Sequence, residues 1–329
     1  MKNLILAEIG SVHDGSFGNA CKLVEAAAAS GADVVKFQTH IAAAETLPNA
    51  PQPPYFKGEP RFQYFERTGF SRCQWKQIRD LCRSCSVEFL SSPFSIEAVE
   101  FLEVVGVDVY KIPSGEVTNL PMLEVIASTN KPVLLSSGMS NWAELDAAVD
   151  VLGPGGPLCI MQCTSAYPCP PERVGLNVIG EMQSRYGLPV GFSDHTMGCA
   201  ASFAAASMGA SVIEKHFTFS RLMYGSDAAH SMEPDEFKEF CAGLREIWAM
   251  LDHPVNKDDL EPYREMKRIF EKSLVSLRPI SAGEKLGRDN VGFKKPGEGI
   301  SAARWKEFEG RRVVREVEGD RLILEEDVE

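Results

Sequence analysis

The sequence has no run of about eighteen apolar residues, the length a helix needs to cross a bilayer, so no membrane span is expected. It also has no surplus of positive charge, because the formal net charge is −12. Nucleic acid and anionic membranes both require a positive surface, so neither is expected as a partner. A phosphorylated small molecule needs only a few local cations and stays open. No Gly-x-Gly-x-x-Gly follows the first strand-like run, which weakens a dinucleotide-binding reading. Cys82 and Cys85 make a CxxC, but in a helical stretch with no second pair at metal spacing. The cysteines number nine, an odd count, and read as free thiols. The apolar stretch Leu4-Ile5-Leu6-Ala7 meets Glu8 too soon for a signal peptide, so a cytoplasmic protein is expected.

What is present is a regular alternation. Strand-like runs occur at 4–10, 33–39, 87–93, 107–115, 132–138, 158–165, 189–196 and 211–218. Helical patterns occupy 17–30, 73–85, 95–104, 119–129, 142–152, 174–186, 198–209 and 234–252. Near-continuous apolar strands separated by crossover helices imply parallel pairing with both faces covered. Eight such units in about 250 residues fit a closed (β/α)8 TIM barrel over residues 1–253 better than an open doubly wound sheet. One insertion, 41–72, breaks the rhythm with Pro48, Pro51, Pro53 and Pro54. It reads equally as a functional lid or a surface excursion. After a polar linker at 254–269 the pattern changes. Short β-like pieces punctuated by Ala282-Gly283, Pro296-Gly297, Glu309-Gly310 and Glu318-Gly319 mark a compact, mostly β module over 270–329. A module that small has a thin core and is expected to lean on something larger.

A (β/α)8 barrel carries its active site at the C-terminal ends of its strands. Every strand end here is polar. Lys36, Ser92, Lys111, Ser114, Ser136 and Ser193 suit a ligand bearing phosphate and carboxylate, since lysine offers a point charge and hydroxyls offer oriented donors. His195 and His216, on adjacent strand ends, suit a divalent ion such as Mn²⁺, Zn²⁺ or Fe²⁺. With no cysteine among those ligands, a closed structural zinc is disfavoured, and open positions imply a Lewis-acid role. Glu8, Glu116 and Asp227 remain as acid, base or sugar-hydroxyl partners.

These segments resemble the sialic acid (N-acetylneuraminate) synthase family. The resemblance is carried in order by Ala7-Glu8-Ile9-Gly10, Val35-Lys36-Phe37-Gln38-Thr39, Ser91-Ser92-Pro93-Phe94-Ser95, Lys111-Ile112-Pro113-Ser114-Gly115-Glu116 and Leu135-Ser136-Ser137-Gly138-Met139. It continues through Cys163-Thr164-Ser165-Ala166-Tyr167-Pro168, Gly191-Phe192-Ser193-Asp194-His195-Thr196 and Ile213-Glu214-Lys215-His216-Phe217-Thr218. Lys294-Lys295-Pro296-Gly297-Glu298-Gly299-Ile300-Ser301 resembles the family's antifreeze-like (SAF) domain. The resemblance implies an enzyme that condenses phosphoenolpyruvate with N-acetylmannosamine or a related hexosamine. Lys36, Ser92, Lys111, Ser114, Ser136, Ser165 and Ser193 would hold phosphoenolpyruvate. His195 and His216 would hold Mn²⁺ or Mg²⁺. Glu8, Tyr167, Asp227 and, in a partner subunit, Lys295 would meet the sugar, with Glu116 near the reacting centre. It further implies a domain-swapped homodimer whose small domain caps the partner's barrel. The sequence departs from the family at Lys295, where arginine is common, and at Ser165, where asparagine is common. It departs again at Tyr224-Gly225-Ser226-Asp227 in place of Pro-Gly-Pro-Asp, and before Ser273, where only Phe270 approximates the expected aromatic. These departures lie at or near sugar recognition, so a legionaminic or pseudaminic precursor, or another sugar aldehyde, stays open as acceptor. Octulosonate- or heptulosonate-type synthases lack such a tail. A non-catalytic sugar-binding protein would not need Lys36, Glu116, His195 and His216 together.

Overall fold

The computed structural model describes residues 3–52 and 59–329; Pro53 and Pro54 lie outside them. The chain divides into two compact units, with the break after His253. In the first, eight strands close into a barrel in sequence order: β1 (Leu4–Gly10), β2 (Val34–Thr39), β3 (Glu88–Pro93), β4 (Tyr110–Ile112), β5 (Val133–Ser136), β6 (Leu158–Cys163), β7 (Val190–Asp194) and β8 (Val212–His216). All pairings are parallel, and β1 closes on β8 with Glu8 opposite His216. The strands are buried almost throughout, as expected where helices cover the outside and side chains fill the inside.

Local signals set the helices. Ser16, Ser71, Ser95 and Asn141 each cap a helix by accepting a backbone N–H three residues on, which satisfies an otherwise orphaned donor. The helix Ile96–Val105 stops at Gly106, held at φ +90, a conformation that glycine adopts without steric cost. Two apolar layers result. The interior of the barrel packs Leu6, Val34, Leu90, Leu134, Cys159, Met161 and Val212. A larger core lies between strands and helices and includes Ile5, Leu23, Phe37, Trp75, Tyr110 and Phe237. The insertion after β2 carries the helices Ala42–Glu45 and Arg61–Thr68.

The second unit has its own core of Leu274, Ile280, Leu286, Val291, Ile300, Trp305, Phe308, Val313, Val317 and Ile323. Its regular strands are few, β9 (Ser273–Ser276) and β10 (Val291–Lys294), paired antiparallel. Isolated bridges such as Val275–Leu322 and Ile280–Val317 supply the rest. The stretch 254–269, expected as a linker, runs into a helix, Arg264–Phe270, that crosses the expected boundary at 270 and has no buried residue. Among the described residues, no helix is long and apolar enough to cross a membrane.

Candidate active site

Strand alternation places Glu8, Lys36, Lys111, Ser136, Ser193, Glu214 and His216 on the inward face, near the C-terminal ends. Each of these is buried. A charged network forms the floor. Lys36 Nζ lies 2.7 Å from Glu8 Oε2 and 3.2 Å from Glu214 Oε1. Lys111 Nζ lies 3.0 Å from Glu214 Oε2 and donates to Ser136 Oγ at 2.7 Å. Ser193 Oγ donates to Glu214 Oε1 at 3.2 Å. Burial alone would raise the Glu214 carboxyl. The Lys111 and Lys36 ammoniums outweigh it and hold that group far below the ordinary carboxylate range. Burial likewise opposes the charge on Lys36, and Glu214 and Glu8 reverse the effect and raise it.

Glu214 is the residue to which sequence reasoning assigned no role. It sits two positions before His216 on one strand and so shares its inward face, which was the available signal. Its partner Lys111 is 103 residues away, a pairing that only the closed barrel creates.

Above the floor, His195 and His216 stand with ring centroids 5.5 Å apart. Tyr167 packs against both, at 4.2 Å and 6.0 Å. His195 Nδ1 donates to Thr164 O at 2.9 Å, so in the neutral ring Nε2 is the acceptor. Burial lowers the His216 imidazole and keeps it neutral, and its buried Nδ1 has no hydrogen-bond partner among the described residues. Ser92 Oγ is buried and orphaned in the same way. Each such group costs about 1–3 kcal/mol, so it marks a place where a ligand would be welcome.

The other expected residues are distributed around this centre. Ser114 and Ser165 flank Gly138, where an added Cβ would meet both hydroxyls at 2.5 Å, so this glycine lets the two serines converge. Glu116 ends a short 3₁₀ turn after β4, where Asn119 Nδ2 donates to its carboxyl at 2.8 Å. Burial raises that carboxyl above its ordinary value despite the bond. Asp227 Oδ2, Gln38 Nε2 and Glu8 Oε1 crowd around Gly10, at 2.7, 3.4 and 3.6 Å from where a Cβ would stand. At φ +54 that position favours glycine on backbone grounds too. Lys295 belongs to the second unit, where its ammonium lies 4.5 Å from the centroid of Phe270.

Among the described residues, no group of three or more His, Cys, Asp or Glu side chains is arranged to hold a metal. The two imidazoles nevertheless fit an open site. With metal–nitrogen bonds of about 2 Å, rings at this separation can share one ion, with water or substrate oxygen completing it. His195 is already oriented through its other ring nitrogen by a backbone carbonyl, the usual support for a ligating histidine. The charge count agrees. Lys36 and Lys111 are already neutralised by Glu8 and Glu214, so a divalent ion on His195 and His216 would add positive charge that the lysines alone do not leave free.

A second buried ion pair lies behind the strands. Lys215 Nζ lies 2.9 Å from Asp194 Oδ2 and donates to Thr196 O at 2.6 Å and Gly198 O at 2.8 Å. Asp194 in turn accepts from Thr196 N at 2.7 Å and Ser202 Oγ at 2.6 Å. The loop that follows His195 is thus tied to β8 from the outside.

Comparison with known proteins places these features in context. A model of the NeuB family matches residues 23–256, and a SAF domain model matches 271–329. The N,N'-diacetyllegionaminic acid synthase of Campylobacter jejuni is 38% identical over 98% of this chain and 99% of its own length. The mouse N-acetylneuraminate-9-phosphate synthase is 33% identical over 99% of this chain and 92% of its own. A crystal structure of N-acetylneuraminic acid synthetase from Leptospira borgpetersenii, in complex with citrate, superposes with a TM-score of 0.74 at 26% identity, covering 81% of this chain and 91% of that one.

Proposed function

The chain belongs to the NeuB family, and from that premise we propose that it condenses phosphoenolpyruvate with the open-chain aldehyde of an acetamido hexose, giving a 2-keto-3-deoxy nonulosonic acid and phosphate. The observation that carries this reading is the buried Lys36–Glu214–Lys111 floor beside an orphaned Ser92 hydroxyl and two imidazoles 5.5 Å apart.

In this reading the lysines hold the phosphate and carboxylate of phosphoenolpyruvate, with Ser92, Ser114, Ser136, Ser165 and Ser193 as donors. Glu8, Tyr167 and Asp227 orient the acceptor's hydroxyls. His195 and His216 would hold a divalent ion, Mn²⁺ or Mg²⁺, which when bound supplies Lewis-acid polarisation of the aldehyde. Carbon 3 of phosphoenolpyruvate attacks the aldehyde carbon, and positive charge develops at carbon 2. Water adds there, and phosphate leaves by C–O cleavage. Glu116, whose carboxyl is raised by burial, is suited to exchange a proton with that water.

The reading extends to a cytoplasmic homodimer in which residues 270–329 of one subunit cap the other's barrel and present Lys295. A legionaminic-type acceptor is favoured over N-acetylmannosamine by two observations. The bacterial legionaminic acid synthase named above matches at 38% identity, and lysine at 295 cannot give the planar two-point contact of an arginine. A panel of mono- and diacetamido hexoses with phosphoenolpyruvate and Mn²⁺, read by product mass and phosphate release, tests the proposal. One sugar is expected to release phosphate stoichiometrically with a product heavier by the pyruvyl unit. Release with none, from folded protein, refutes the reaction.

A further inference from the structure

The proposed reaction makes no use of His40, the residue that follows β2. Its imidazole is sandwiched between Phe65 and Phe94, with centroids at 3.5 and 4.1 Å and planes inclined by only 19° and 21°. Its side chain is 5% exposed and that of Glu45 is 4% exposed. Nε2 lies 3.0 Å from Gln38 Oε1, and Nδ1 lies 2.9 and 3.0 Å from the two oxygens of Glu45. Gln38 turns its amide nitrogen to Glu8 Oε1 at 2.7 Å. The chain Glu8–Gln38–His40–Glu45 therefore runs unbroken from the site into the insertion at 41–72.

Proton bookkeeping fixes its direction. The Glu8 carboxylate can only accept, so Gln38 must present its NH₂ to Glu8 and its carbonyl to His40. His40 must then donate from Nε2. Its Nδ1 faces a second carboxylate, which also only accepts. A neutral ring with its proton on Nε2 would set lone pair against lone pair there. One more proton has to lie between Nδ1 and Glu45, on whichever partner burial favours.

We propose that His40 and Glu45 form a proton-sharing positioning pair that locks the Gln38 amide and, through it, aims Glu8 at the acceptor sugar. Glu8, Gln38 and Asp227 already crowd over Gly10, so an amide free to rotate would set its carbonyl against Glu8. Glu45 ends the helix Ala42–Glu45 and Phe65 belongs to the helix Arg61–Thr68, so the same pair ties the insertion to the acceptor end of the site. Arg61, Asp227 and His13 also act electrostatically on this imidazole. The role rests on the reading of Glu8 as an acceptor ligand.

The test uses the full-length protein and its His40→Phe, Glu45→Leu and Glu45→Gln variants, with folding checked by thermal melting. His40→Phe keeps the aromatic sandwich and deletes both hydrogen bonds. It is expected to raise KM for the acceptor about tenfold while KM for phosphoenolpyruvate moves less than about twofold, the pattern of a misplaced positioning group. Glu45→Leu is expected to do the same, and serves if His40→Phe does not fold. Glu45→Gln can donate to Nδ1 and so restores the chain; its acceptor KM should stay near wild type. Unchanged acceptor KM in folded His40→Phe or Glu45→Leu, or no rescue by glutamine, overturns the proposal. Independently of turnover, proton NMR of the free protein should show a strongly deshielded resonance from the His40–Glu45 bond, lost in Glu45→Gln. Its absence from the wild type also overturns the pair. If no sugar in the panel is turned over, the proposed reaction falls while this resonance still decides the pairing.

Discussion

Two buried ionic networks share the strands β7 and β8, one on the inside of the barrel and one on the outside. Inside, Lys36, Lys111, Glu8 and Glu214 share the strand ends with Ser92 and His216, each of which keeps a buried polar atom without a partner among the described residues. Outside, Lys215 and Asp194 meet Ser202 and the carbonyls of Thr196 and Gly198, and the pair is saturated. The residue types and the burial are alike. The difference lies in how completely their hydrogen bonds are closed. A network built for stability closes its hydrogen bonds, because an open buried group costs about 1–3 kcal/mol. A network built for a ligand leaves some open and recovers the cost on binding. On this contrast we propose that the outside pair is scaffold for His195 and His216 and that the inside set receives the ligand.

Removing the imidazoles should have the largest effect. His195→Ala and His216→Ala are each expected to lower turnover by about 10³-fold or more, since a Lewis-acid contribution of several kcal/mol disappears. His216→Ala should melt near wild type, because His216 already leaves a ring nitrogen unpaired, and His195→Ala should lose only about 1 kcal/mol with its bond to Thr164 O. Phosphate release under saturating phosphoenolpyruvate and Mn²⁺ checks the first part. Retained turnover in either variant would remove that residue from the site.

Next comes a crossed pair of lysines. Lys215→Met strands the Asp194 carboxylate with only neutral donors, and breaking a buried pair costs about 3–5 kcal/mol. Its effect should fall on unfolding free energy, measured by urea titration, and leave KM for phosphoenolpyruvate unchanged. Lys111→Met leaves Glu214 still paired with Lys36, so its stability cost should be smaller, while KM for phosphoenolpyruvate rises at least about tenfold. The reverse assignment of effects would erase the distinction between the two networks.

Much of the barrel could be read from the chain. The first strand is found at the expected residues, and the helices at 142–152 and 234–252 coincide with their apolar and capping patterns. The largest misfit is β4, expected over 107–115 and observed only as Tyr110–Ile112. Val107 donates instead to Leu102 O at the end of the preceding helix, and Ser114–Glu116 coil into a 3₁₀ turn. Both ends of that run are apolar or small, so composition could not separate strand from cap. The polar rims were legible because a lysine or glutamate inside an apolar run is conspicuous. The partnerships were not. Lys111 with Glu214 spans 103 residues and Lys36 with Glu8 spans two adjacent strands. Lys215 stands between Glu214 and His216 in the sequence, and its pairing with Asp194 on the outer face follows only from the pleat. His40 and Glu45, only five residues apart, needed Phe65 and Phe94 around them before their contact meant anything.

The finest division between the networks is a pair of buried serines. Ser202 Oγ donates to Asp194 Oδ2 at 2.6 Å, whereas Ser92 Oγ has no partner among the described residues. Ser202→Ala removes a charge-assisted bond and should cost about 1.5–3 kcal/mol of stability with KM for phosphoenolpyruvate unaltered. Ser92→Ala deletes a hydroxyl that is unsatisfied in the free protein, so stability should hold or rise by a few tenths of a kcal/mol to about 1 kcal/mol. The same change withdraws a donor from the ligand, so KM for phosphoenolpyruvate should rise about three- to tenfold. Thermal melts with and without phosphoenolpyruvate read both quantities in one experiment, since a ligand that binds only the folded state raises the midpoint with the logarithm of its concentration over Kd. The gap between the two variants should narrow without closing: Ser92→Ala stays higher, and Ser202→Ala gains more from ligand by about 0.6–1.4 kcal/mol. Parallel lines would mean that the unpaired hydroxyl is a defect of packing rather than a contact held for the substrate.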